Sequence, residues 1–193
     1  GRCGVGDVAE LAEGRGVVVP SGAGDGGRRG LWRAGSVGAF GDTRLAGRNG
    51  YGLAVQADQK RAPFVLDYLI DVARRAGRRM PVRLVKGAYW DSEIKRAQVE
   101  GLDGYPVLTR KPNTDVSYLA CAKKMLAATD ALYPMFATHN AHTIVAIHHL
   151  AQQTPGAWTP LGRSAPYEYQ KLHGMGDDLY REVIGKDQLD VPC

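Results

Sequence analysis

From residue 49 onward the chain repeats one pattern, a short apolar run followed by a stretch whose apolar residues recur at helical spacing. Nothing else in the sequence constrains the fold as strongly, because parallel strands must be joined by crossovers long enough to hold a helix. YGLAVQA (51–57) predicts a strand. Between Pro63 and Ala76, Val65, Leu69, Val72 and Ala73 share a helical face, and Gly77 is the expected stop. PVRLVKG (81–87) predicts a second strand, and the polar stretch from Asp91 a helix whose N-terminal end suits a carboxylate. TDVSYLACAKKMLAA (114–128) predicts a helix capped by Thr114, burying Leu119, Ala122, Met125 and Leu126. YPMFATHN (133–140) reads as a buried strand that runs into the helix AHTIVAIHHLAQQ, with Asn140 as its cap. YEYQKLHGM (167–175) predicts a strand, followed by a short helix from Asp177 to Ile184 that Gly185 ends. Four successive strand-helix units make the class α/β, either an open doubly wound sheet or part of a (β/α)8 barrel.

Residues 1–48 are of another character. They hold 14 of the chain's 25 glycines and no Lys, Tyr, Asn, Gln, Ile, Met or His. With so little periodic apolar content the segment is expected to be irregular, GVVVP (16–20) being its only strand-like fragment. GAGDGG (22–27) has the form GxGxxG, but RRGLWRAGS behind it does not open the helix a dinucleotide site needs, so the match reads as chance. The missing residue types are those with AT-rich codons, as in GC-rich coding sequence read out of frame. The expected division is therefore 1–48, irregular, and 49–193, the α/β unit.

Composition removes several function classes. No apolar run approaches the length needed to cross a bilayer, and three distant cysteines (Cys3, Cys121, Cys193) without CxxC spacing point to a reducing cytoplasm and no disulfide framework. The net charge of +5 is spread among acidic residues, so DNA binding is not supported. His139, His142, His148 and His149 come without HExxH or a cysteine pair, which gives no metal site; His148 and His149 read as a solvated helix edge. Cys121 falls mid-helix on an Ala-rich face, where an inert thiol is expected.

In either α/β architecture a ligand collects at the carboxyl ends of the strands. Four ends carry polar or aromatic groups after an apolar run: Gln56, Lys86 to Trp90, Thr138 to Asn140, and Gln170 to Gly174. Arg83 and Lys86 fall on opposite faces of their strand, Arg83 on the face of Val85. Arg83 reads either as a rim arginine paired with a carboxylate or as a cation set against an electron-rich ligand, since a buried guanidinium must be compensated. Tyr89 and Trp90 read as core aromatics or as a stacking wall for a ring system. His139 and Asn140 stand where free backbone N–H groups cap a helix or receive an anion.

VRLVKGAYWDSEIKRAQ, GYPVLTRK, TDVSYLACAKK, FATHNAHT and YEYQKLHGMGDDLY, in that order, resemble the proline dehydrogenase domain of the bacterial bifunctional proline utilization flavoenzymes. The resemblance runs over residues 49–193. It implies an incomplete (β/α)8 (TIM-like) barrel of four to five strand-helix units, carrying FAD at the strand ends and oxidising L-proline to 1-pyrroline-5-carboxylate. Electrons would pass to a membrane quinone, and the full-length protein would be cytoplasmic or peripheral on the inner membrane. Carried over by motif, Gln56 would meet the polar edge of the isoalloxazine and Arg83 its N5 side, where a cation favours the reduced, anionic flavin. Val85, Lys86, Gly87 and Ala88 would line the cofactor, Trp90 would stack near the adenine, and Thr109 and Arg110 would touch the same half. Thr138, His139 and Asn140 would hold the ribityl and phosphate portion, and Gln170 and Leu172 would complete the pocket. Arg83, Leu84 and Tyr89 form the expected catalytic set, with Leu84 and Tyr89 facing the proline ring.

The resemblance also implies departures. Asp58 stands where the family has an aromatic, and Lys171 where a cysteine is common. SALHPRY-type and DAEE-type segments, with the family's active-site lysine and aspartate, have no match in residues 1–48, and the paired arginines that hold the proline carboxylate have none before Cys193. A closed barrel takes about 250 residues. The chain alone is therefore expected to be an inactive fragment, the alternative being a non-catalytic or basic nucleic-acid-binding piece.

Overall fold

The structure, a computed structural model, describes residues 17–18, 52–157 and 166–184. Five parallel strands lie side by side in chain order: β1 (Val17–Val18), β2 (Gly52–Gln56), β3 (Met80–Val85), β4 (Leu132–Ala137) and β5 (Glu168–Gln170). Between and after them run α1 (Ala62–Arg75), α2 (Trp90–Val99), α3 (Lys111–Leu126), α4 (Ala141–Gln153) and α5 (Asp177–Ile184). A doubly wound sheet reverses its strand order at a switch point, whereas here each strand pairs with its sequence neighbour. Right-handed crossovers in one continuing direction put every covering helix on the same face, as in a barrel wall. Leu53, Val55, Val82, Leu84 and Phe136 on that face share one core with Leu66 and Leu69 of α1, Tyr118 and Met125 of α3, Ile144 and Ile147 of α4 and Tyr180 of α5. The sequence's two architectures thus reduce to the barrel type. GVVVP narrows to Val17–Val18 on the edge of the sheet; GAGDGG and Gly185 lie outside the described residues.

The elements end where local chemistry ends them. Gly77, with φ +60°, lets its own N–H donate to Arg74 O and the Arg78 N–H to Ala73 O, which closes α1 as its position predicts. Asn140 caps α4, its Oδ1 accepting from the Thr143 N–H at 2.9 Å. Two expectations need correcting. α3 begins at Lys111, with Pro112 in its first turn, so Thr114 is an interior, buried residue and not the cap; proline's fixed φ starts the helix a turn earlier. β5 stops at Gln170, because the Leu172 N–H leaves the ladder to donate to His139 Nε2 at 2.9 Å.

Two tyrosines fasten the helices to the strand ends. Tyr118 Oη of α3 donates to Leu84 O and Ala137 O, each at 3.2 Å, joining the ends of β3 and β4. Tyr180 Oη of α5 donates to Thr138 O at 2.7 Å and Gln170 O at 3.2 Å, joining β4 and β5. Removing either hydroxyl takes a hydrogen bond from the strand-end carbonyls, although Gln170 O keeps the Thr138 N–H at 3.2 Å, and it keeps the ring's packing. Tyr118→Phe and Tyr180→Phe are each expected to lower unfolding free energy by about 1–2 kcal/mol in urea titrations. An unchanged midpoint for both would show that neither hydroxyl carries load at the strand ends. Among the described residues no helix is long and apolar enough to cross a membrane.

Candidate active site

The face of the sheet away from the helices is set by the register. Ala54, Arg83, Met135 and Glu168 form one row across β2 to β5, and Gln56, Val85, Ala137 and Gln170 form the next, nearer the carboxyl ends. Arg83 is the half-buried cation of this face. Its Nε donates to Gln170 Oε1 at 2.5 Å, and Gln170 Nε2 donates onward to Glu168 Oε1 at 2.7 Å, which also receives the Tyr133 hydroxyl on Oε2 at 3.2 Å. Among the described residues Arg83 makes no ion pair. Burial pulls its pKa below the usual arginine value and the field of Glu168 opposes that; a guanidinium titrates so high that it stays charged. The first-row polar chain is therefore a cation held by a neutral amide, with its carboxylate one residue further on.

The rim above these rows holds the remaining expected residues. Gln56 Oε1 accepts the Ala88 N–H at 2.9 Å, which ties the end of β2 to the turn after β3. Lys86 leaves on the helix side, where its ammonium donates to Asp115 Oδ1 at 2.5 Å. Gly87, Ala88, Tyr89 and Trp90 are exposed. Trp90 Nε1 donates to Leu108 O at 2.9 Å, which brings the indole to the segment carrying the exposed Thr109 and Arg110. Thr138 is buried, its Oγ1 accepting from the Asn140 N–H at 3.2 Å, while His139 is exposed and accepts the Leu172 N–H. Gln56, Arg83, Val85, Ala137 and Gln170 thus share the face of the sheet away from the helices, with residues 87–90, 138–140 and 172 along its upper edge.

Leu84 does not join them. It is wholly buried on the helix face, paired with Val55 and Phe136 and lying under Tyr118, so it cannot face a substrate beside Arg83. The strand's period of two requires this: a residue adjacent to Arg83 points the other way. His148 is partly buried with its ring against Gln152, and only His149 is fully on the solvated edge; burial lowers the pKa of His148. Cys121 is buried, and desolvation raises its thiol pKa.

Sequence reasoning missed the part played by Asp58. It is 4% exposed, and burial first and the charge of Glu93 second push its pKa up to about 6. The folded chain holds this proton more tightly than the unfolded one. The carboxyl therefore contributes stability that is complete below the ordinary aspartate value of 3.8 and is lost as pH rises through about 6. The available signal was an acidic residue inside an apolar strand end, AVQAD.

The family model for proline dehydrogenase matches residues 38–193. The chain belongs to the proline dehydrogenase family. Similar proteins include the bifunctional protein PutA of Klebsiella aerogenes, 60% identical over 157 residues, and that of Rhizobium meliloti, 56% identical over 153 residues. Those alignments cover 79% of this chain but only 11% and 12% of the relatives' lengths. Among solved structures, a proline utilization A (PutA) variant from Bradyrhizobium japonicum superposes with a TM-score of 0.72 at 48% identity, over 81% of this chain and 15% of that one. PutA from Bdellovibrio bacteriovorus, inactivated by N-propargylglycine, gives a TM-score of 0.69 at 29% identity, over 77% of this chain and 15% of that one. The proline dehydrogenase fold of these neighbours accounts for the singly wound sheet.

Proposed function

We propose that residues 49–193 form the cofactor wall of an FAD-dependent proline dehydrogenase, which oxidises L-proline to 1-pyrroline-5-carboxylate and passes the electrons to a membrane quinone. The observation that carries this reading is Arg83: a half-buried cation without an ion pair among the described residues, on the helix-free face of a sheet that belongs to the proline dehydrogenase family. Such a group is stable only if an electron-rich partner compensates it. The residues fit a flavin. Gln56 and Gln170 place amide groups beside Arg83, Gly87 keeps the rim free of a side chain, and the exposed Trp90 offers a flat face near Thr109 and Arg110. His139 and Asn140 stand at the N-terminus of α4, whose free N–H groups suit a phosphate.

When bound, FAD supplies the acceptor for the hydride that leaves the proline ring carbon next to nitrogen. This chain's residues position and polarise. Arg83 holds positive charge where negative charge develops, fixed in direction by Gln170. Gln56 holds the Ala88 N–H and so the height of the rim. Val85 and Ala137 supply the apolar floor between them, and Tyr89, half exposed at the start of α2, closes the substrate side. Lys86, Thr138 and Leu172 shape the rim through their backbone.

FAD titrated into the 193-residue chain should bind, with quenching of flavin fluorescence. Proline-dependent dye reduction should stay at background, since the family resemblance places the carboxylate-holding arginines outside these residues. No binding up to about 1 mM FAD, an affinity of only about 4 kcal/mol, would overturn the cofactor assignment. Robust proline turnover would overturn the assignment of an inactive segment.

A further inference from the structure

Just beyond β2 the chain buries a carboxyl against its own cofactor wall. The Asp58 N–H donates to Lys86 O at 2.8 Å and its carbonyl accepts the Leu108 N–H at 2.7 Å, so its backbone is tied on both sides. Its side chain lies against Gly87, and its Oδ1 is fully buried without a hydrogen-bond partner. A carboxylate left so would be costly, because each charged oxygen requires donors; a neutral carboxyl loses far less. The surrounding charges point the same way. Glu93 of α2 adds a like charge, while Lys86 at the end of β3 is paired with Asp115 of α3, which Lys111 also contacts at 2.9 Å. We infer that Asp58 is a positioning residue, a protonated wedge whose neutral carboxyl sets the Lys86–Gly87–Ala88 backbone and makes the cofactor wall proton-linked.

The mechanical link is short. The turn over Asp58 includes Ala88, whose N–H is held by Gln56 Oε1. Loss of the proton puts a buried charge beside Glu93 that the backbone N–H groups of Asp58 and Gln59 only partly offset and that leaves Oδ1 without a donor, and relief comes from Asp58 reaching water past the exposed Gly87 turn. Moving that turn disturbs the Gln56 contact. The backbone part of this inference stands on the geometry alone; its consequence for FAD rests on the function proposed above.

Two measurements separate the two. In the apo chain, the amide shifts of Gly87 and Ala88 should titrate with a midpoint at about 6 in the wild type and stay flat in Asp58→Asn, which keeps shape and removes the proton. FAD affinity should fall about fivefold between about pH 5 and about pH 7 in the wild type, and remain near the acid value in Asp58→Asn. Identical titrations of the two amides in both proteins would overturn the wedge. Titrating amides with no FAD binding at any pH would leave the wedge standing and remove the cofactor reading. FAD binding with the same pH profile in both proteins would overturn the link between wedge and wall.

Discussion

Gly87→Ala is expected to cost about 3–5 kcal/mol of folding stability, well above alanine at Gly77 or Gly101. Two independent penalties combine. Gly87 has φ +149°, a region that residues with a Cβ rarely adopt. A Cβ built there would also overlap Asp58 Oδ2 and Cγ and lie 2.7 Å from Oδ1. Asp58 cannot step aside, because its N–H and carbonyl are both engaged and its side chain is buried. Gly77 and Gly101 supply the control: each has φ +60° with nothing within 4 Å of a Cβ, so alanine there should cost only about 1 kcal/mol. The double variant Gly87→Ala with Asp58→Gly should recover the overlap penalty, roughly half the loss, and leave the backbone penalty. Urea unfolding of the wild type, these four variants and Asp58→Gly alone decides it. If Gly87→Ala is no worse than Gly77→Ala, the contact between Asp58 and Gly87 is not a fixed feature of the fold.

What could be read from the sequence follows the range of the forces involved. The stop at Gly77 and the cap at Asn140 are local hydrogen-bond chemistry, and both stand where their residue types put them. The strands β2, β3 and β4 are buried apolar runs; β2 and β3 lie within two residues of their expected bounds, while β4 starts one residue early and ends three residues before Asn140. Arg83 announced itself because an arginine among Val82, Leu84 and Val85 demands a reason. The failures are cases where a distant partner decides. Leu84, given a place beside the proline ring by the family resemblance, lies on the helix face, as the strand's alternation from Arg83 requires. β5 was read as nine residues because YEYQKLHGM is continuous in character; the end at Gln170 is set by His139, which is 33 residues away in the chain from Leu172. Tyr118 looked like one more residue on a helix, and only the folded sheet shows that its hydroxyl reaches two strand-end carbonyls. Asp58 shows in the sequence only as an acidic residue where the family has an aromatic, and its burial depends on the turn at Gly87 lying against it.

Arg83→Met should leave the fold almost untouched and change the flavin strongly. A methionine fills the same row between Ala54 and Met135 and removes a desolvated charge, while Glu168 keeps its donors from Tyr133 and Gln170. Unfolding free energy is therefore expected to move by less than about 1 kcal/mol. The cation's larger effect is on the electron-rich, reduced state of FAD: at an effective dielectric near 20, a unit charge about 4 Å away is worth up to about 4 kcal/mol. Half of that would lower the two-electron potential of bound FAD by about 40 mV, since about 30 mV corresponds to 1.4 kcal/mol for two electrons. Arg83→Lys should fall between, because an ammonium retains the charge but not the directed bond to Gln170. Equilibrating the bound flavin with a reference dye measures the shift, and urea unfolding of the same samples measures stability. A potential that does not move in Arg83→Met would place the arginine outside the flavin's field and assign it to the fold. A collapse of stability with an unchanged potential would say the same from the other side. The expected pair of results, a lowered potential on an intact fold, is what distinguishes a cation kept for chemistry from one kept for structure.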